Sequence, residues 1–100
     1  MSARCGFAYC PDCHLPVHQH PDINGHMVNL HPGYQPAIAV PAQLHRHLVA
    51  GVVRLGSTDA DYGGTRIEHT DVCPAQERPA HPLLAEVWRI QSTRLRELPA

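Results

Sequence analysis

Cys10-Pro11-Asp12-Cys13 is a C-x2-C pair, and His69-Thr70-Asp71-Val72-Cys73 is an H-x3-C pair. Two residues between cysteines let both sulfurs reach one ion from a tight turn. The downstream spacing sets His69 and Cys73 one helical turn or one loop apart, facing the same way. Three thiolates and one imidazole are a usual tetrahedral set for structural zinc. Sulfur-rich sites suit zinc over magnesium or calcium. The expected ligands are therefore Cys10, Cys13, His69 and Cys73, and the expected cofactor is Zn2+. Cys5 or His14 could stand in for His69, so that fourth position stays open. Cys10 to His14 also spells C-x-x-C-H, the haem c attachment pattern, but covalent haem would require export.

A closed set of four ligands leaves no open metal position for catalysis. The zinc deaminase pattern is absent, since no His is followed two residues later by Glu. No Walker loop, G-x-G-x-x-G or G-x-S-x-G occurs either, so the sequence leans away from an enzyme and leaves that question open. Asp71 is a candidate acceptor for the far ring nitrogen of His69. His18, His20, His26, His31, His45, His47 and His81 are not needed for the first site. His45 and His47 would share a strand face, as would His18 and His20. A second metal between those pairs is conceivable. Solvent-facing histidines that replace the absent lysines are the preferred reading.

These ligands need a scaffold, and composition says what kind. The 100 residues suit one small domain. One Phe, one Trp and three Tyr leave few large rings to fill a core. Ten prolines and seven glycines favour turns and short strands. Such a domain often needs a staple, a metal or disulfides. Met1 to Cys10 has no apolar run of signal-peptide length, and no stretch is apolar enough to span a membrane. A cytoplasmic protein is expected, with its cysteines as thiols or metal thiolates.

Asn24-Gly25 is a strong hairpin motif between Val17 and Leu30, with Val28 and Leu30 on one face. Pro32-Gly33 fits a type II turn. Ile38 to Val40 is a short apolar run. Leu44 to Val49 and Val52 to Leu55 read as two strands joined near Ala50-Gly51, although Ala disfavours positive φ. Ser57 to Gly64 reads as a mobile loop. Leu84, Val87, Trp88, Leu95 and Leu98 share one helical face, and Pro99 would end the helix. The expected fold is α+β: a small, zinc-ribbon-like antiparallel sheet with a C-terminal helix. Its parts are a metal-binding domain over 1–74, a Pro-rich linker over 75–82 and an amphipathic helix over 83–98 packed on or near the domain.

The order Cys10-x2-Cys13, His20, Gly25, Val28, Leu30, Pro32, Val40-Pro41, His45-Arg46-His47, Gly51, Leu55-Gly56 and Arg66-Ile67-x-His69-x3-Cys73-Pro74 resembles a family of small actinobacterial proteins known only as a domain of unknown function. The resemblance covers about residues 10–74. It departs at Glu68, where the family usually has Pro, and at His47, where Trp is frequent. It implies a metal-binding fold and no reaction. The C-terminal helix falls outside it.

The formal net charge is −1, and all eight basic residues are arginine. Bulk attraction to nucleic acid or anionic lipid is not indicated. The expected role is a structural-zinc module that contacts another protein, with a homodimer through the helix around Trp88 as one form. Nucleic-acid binding through Arg46, Arg54, Arg66, Arg89, Arg94 and Arg96 is the alternative, with Glu86 and Glu97 placed to neutralise Arg89 and Arg94. A small metalloenzyme or biosynthetic accessory protein is a third.

Overall fold

A computed structural model describes residues 6–56 and 63–97. Cys5, most of the proposed Ser57–Gly64 loop and Leu98 fall outside those residues. The chain forms short antiparallel sheets and one C-terminal helix, the α+β class expected.

The first sheet is a meander of β1 (Gly6–Tyr9), β2 (Pro16–Pro21) and β3 (Met27–Leu30). Its first strand runs directly into the C-x2-C pair. Pairing carries Phe7 onto His18 and His18 onto Leu30, so alternate residues face a common side. The β2–β3 hairpin turns at Asn24-Gly25, but through a longer loop than that dipeptide implies. Gly25 N–H donates to Asp22 O at 3.0 Å, and Asp22 N–H donates to His26 O at 2.8 Å. The Asp22 carboxylate also accepts from the N–H groups of Asn24 and His26. Gly25 takes φ +81°, as the left-handed residue of a bulged hairpin.

β5 (Arg46–Val49) and β6 (Val52–Leu55) form a second hairpin, in register Val49 to Val52 and His47 to Arg54. Its two-residue connection places Ala50 at φ 50° and Gly51 at φ 80°, the primed turn that matches strand twist. An alanine there carries left-handed strain. Ala50→Asn is therefore expected to stabilise the domain by about 1 kcal/mol in urea unfolding. A neutral or negative effect would remove the strain assignment.

β4 (Gln35–Pro36) pairs with β7 (Gly64–Thr65). The run after β7 joins the two larger sheets: Glu68 bridges Leu30, and Arg66 bridges Arg46. Thr65 is wholly buried, and its hydroxyl accepts from the N–H of Arg46 at 3.0 Å. Residues 64–68 thus serve as the central spine, and they deliver His69 to its place.

Ile38 does not join the core. It lies in a 3-10 turn over Ala37–Ala39 and is 98% exposed. His45 explains that turn's position, because its Nε2 lies 2.9 Å from Ala37 O and 2.8 Å from Val40 O. This half-buried histidine is spent on holding the turn.

Helix α1 spans Pro82–Glu97, with Pro82 at its start where a missing N–H costs nothing. Leu84 and Val87 pack with Val40, Ile67 and Val72 in one core cluster. Leu95 packs on the other, made of Cys10, Cys13, Leu15, Val17 and Cys73. Trp88 is half-buried, and its indole N–H donates to Gln76 O at 3.1 Å. Among the described residues no helix is long and apolar enough to cross a membrane.

Candidate metal centre

Cys10 follows β1, and the chain reverses at once. His14 N–H donates to Cys10 O at 2.8 Å, and Cys10 N–H donates to Leu15 O at 2.9 Å. His14 completes the turn at φ 64° and points to solvent. Its ring is not among the ligand atoms that cluster with the sulfurs. The second half comes from a 3-10 turn over His69–Asp71, followed by Val72 and Cys73. Val72 is fully buried, which anchors this turn to the core below.

The ligand atoms of Cys10, Cys13, His69 and Cys73 all lie within 4.8 Å of one another, and all four residues are buried. Cys10 Sγ is 3.8 Å from Cys73 Sγ. That is far beyond a disulfide bond of about 2.05 Å. It matches the edge of about 3.8 Å between two thiolates each bonded at about 2.3 Å to one tetrahedral ion. Cys13 Sγ lies 3.3 Å from Nε2 of His69, so that nitrogen faces the sulfurs. The three described cysteines are free thiols. The four residues expected from sequence are therefore brought together and could hold a metal ion.

Backbone amides point at the sulfurs. Burial alone would raise the Cys10 thiol, but N–H donors of Cys13 and Asp12 outweigh it and hold the thiol below its ordinary range. Burial pushes Cys13 and Cys73 up, against N–H donors from Leu15 and Ala75. Three neighbouring thiols cannot all ionise without a compensating positive charge. Amide donors around thiolates are the outer layer a metal–sulfur centre uses. Leu15 and Ala75 were missed from the sequence, although each sits two residues past a ligand cysteine.

Burial lowers the pKa of His69, with Asp12 pulling weakly the other way. The neutral imidazole that results is the form able to ligate. Its Nδ1 is buried with no hydrogen-bond partner among the described residues. Asp71 therefore does not accept from it, contrary to the sequence expectation. Burial instead raises the Asp71 carboxyl, with Glu68 adding to the effect.

No second cluster of metal-binding side chains occurs among the described residues. His47 Nδ1 lies 2.8 Å from Gly56 O, and His18 Nδ1 lies 3.3 Å from the Arg66 guanidinium. His45, His47 and His18 are thus spent on local structure, whereas His20 Nδ1 is buried with no hydrogen-bond partner among the described residues. Several arginines are engaged too: Arg46 pairs with Glu68 at 3.0 Å, Arg89 with Glu86 at 2.6 Å, and Arg66 stacks on Tyr34.

His31 is buried at the end of β3, with Nδ1 3.4 Å from the Gln91 amide on α1. Burial, reinforced by His69, Arg94 and His18, pushes its pKa down from 6.5 to about 4. The unfolded chain then binds more protons than the folded one between those values. Stability from this group is complete above pH 6.5 and is lost as pH falls toward 4. The wild-type protein minus His31→Gln is expected to lose about 3 kcal/mol across that window in urea unfolding. A flat difference curve would exclude His31 as an acid-labile element.

A family model described as "Family of unknown function (DUF6083)" matches residues 3–99. The match takes in α1, which the sequence resemblance had left outside. No curated protein and no solved structure matches.

Proposed function

From the premise that the chain belongs to the DUF6083 family of unknown function, we propose that it is a zinc-organised module whose ion builds the fold and whose surface engages another protein. The convergence of three amide-supported sulfurs and one imidazole, with a tetrahedral-edge sulfur separation of 3.8 Å, carries the zinc assignment. Zinc is preferred because soft thiolates dominate the donor set. Four protein ligands fill a tetrahedron, so no position remains for water or substrate. That favours a structural ion. Phe7, Tyr9 and Tyr34 are 78%, 71% and 55% exposed, and aromatic residues of this kind are enriched where proteins meet.

Native mass spectrometry and cobalt substitution test the centre together. One zinc per chain is expected, and the Co(II) form is expected to show intense tetrahedral d–d bands with sulfur-to-metal charge transfer. Cys13→Ser should abolish both. A metal-free chain after purification in zinc, or an octahedral cobalt spectrum, would overturn the assignment. Zinc retained in His69→Ala would transfer the fourth position to Cys5.

A further inference from the structure

β1 is the outer strand of the first sheet, whose order is β1-β2-β3. The hairpin decides which of its backbone groups face outward. Cys10 N–H donates to Leu15 O at 2.9 Å, so residue 10 turns its backbone toward β2. Backbone groups alternate sides along a strand. Ala8, opposite Val17, and Gly6, opposite Gln19, therefore bond to β2, and Phe7 and Tyr9 point their N–H and C=O away from it. Pro16 agrees with this assignment, because it stands opposite Tyr9 and has no N–H to give. Among the described residues the outward groups of Phe7 and Tyr9 have no partner.

The same two residues hold their rings in solvent, Phe7 78% and Tyr9 71% exposed. Both rings lie on one face of the strand. Phe7 is steadied there by T-shaped contact with His18, ring centroids 4.9 Å apart. Sheet edges are commonly protected by lysine, proline or a bulge. Gly6-Phe7-Ala8-Tyr9 has none of these.

This edge is complementary to itself. A two-fold axis beside Ala8 sets Phe7 opposite the second copy's Tyr9, and Tyr9 opposite the second copy's Phe7. Each pair then exchanges N–H···O=C bonds, and every outward group of both strands is satisfied. The facing rings fall on one side of the sheet, where aromatic cross-strand pairs are stabilising. β1 and β2 contain no Asp, Glu, Lys or Arg, so no like charges meet along the seam. The net charge of −1 adds little repulsion at long range. A foreign peptide would need its own aromatic pair at the same spacing, whereas two-fold symmetry supplies one.

We propose that a second copy of this chain adds its β1 antiparallel to β1, joining two three-stranded sheets into one. The inference rests on the reading of the exposed aromatics as a protein-contact surface, and it names the occupant. Phe and Tyr each bury about 150–250 Å², so the rings at this seam remove at most about 600–1,000 Å². Stable complexes bury about 1,200–2,000 Å², so the dimer is weak and reversible.

The test is a dilution series of the zinc-loaded full chain, from micromolar to millimolar, followed by sedimentation velocity and two-dimensional amide NMR. Dimerisation is expected in the high-micromolar range, with concentration-dependent shifts at Phe7, Ala8 and Tyr9. A sample mixed from isotope-labelled and unlabelled chains is expected to show intermolecular NOEs between Phe7 and Tyr9. Phe7→Lys is expected to weaken association about tenfold or more. Because Phe7 is exposed, that variant should otherwise keep the spectrum of dilute wild type. A monomer up to millimolar protein, a dimer indifferent to Phe7→Lys, or shifts centred on α1 would each overturn the proposal. So would a monomer whose Phe7 and Tyr9 amides respond only to an added Val-Thr repeat peptide, which would assign the edge to a foreign strand. A monomeric chain would leave the zinc centre and the wider protein-contact reading standing.

Discussion

Chelation of the zinc-loaded protein is expected to unfold the domain as a whole, with circular dichroism and amide dispersion lost together and restored by added zinc. The reason lies in where the ligands sit. Cys10, Cys13 and Cys73 are themselves members of a buried core cluster with Leu15 and Val17. That cluster contains no aromatic side chain. Removing the ion leaves three clustered thiols and an imidazole with little apolar mass to hold them. Structural zinc contributes about 10–16 kcal/mol of apparent binding energy in finger peptides. The net stability of a domain is about 5–15 kcal/mol, so the ion's share is comparable with the whole. Cys73→Ser should behave like chelation. A chelated protein that keeps its amide dispersion would show that the fold stands without metal.

Ile67→Ala is expected to weaken zinc binding about a hundredfold without touching a ligand. Ile67 is fully buried among Val40, Val72, Leu84 and Val87, and its carbonyl accepts from His31 N–H at 2.9 Å. It joins the central spine to α1. Truncation of a buried isoleucine costs about 2–5 kcal/mol. If the metal-free chain is unfolded, folding and binding are one equilibrium, and that loss is read as metal affinity. Each 1.4 kcal/mol is tenfold, so a loss of about 3 kcal/mol gives the stated factor. Competition against a calibrated chelator measures it. Unchanged affinity together with a lowered melting temperature would mean that the site is preformed in the metal-free chain.

The meeting of Cys10, Cys13, His69 and Cys73 was legible because Cys and His pairs at short spacing have few other uses in a chain of this composition. Asn24-Gly25 and Ala50-Gly51 were legible as turns because they punctuate apolar runs. Their backbone geometry was harder to read. The Asp22 carboxylate reorganises the first turn, and strand twist forces Ala50 into a region it disfavours. Ile38 was misleading, since three apolar letters in a row do not say which way a 3-10 turn faces. The histidines were least legible. Imidazole can bind metal, accept from arginine or donate to carbonyls, and only the surroundings of His45 and His18 choose among these. The open edge of β1 could not be read either, because it depends on which strands pair.

The contact between Trp88 and Gln76 has a practical consequence. The chain holds one tryptophan, and its indole is bonded to the carbonyl of Gln76, whose own N–H donates to Cys73 O at 2.9 Å. One turn of backbone therefore separates the sole strong fluorophore from a candidate metal ligand. The molecule carries its own optical gauge, in which emission from a single indole reports whether the turn after Cys73 is closed and whether α1 is seated on it.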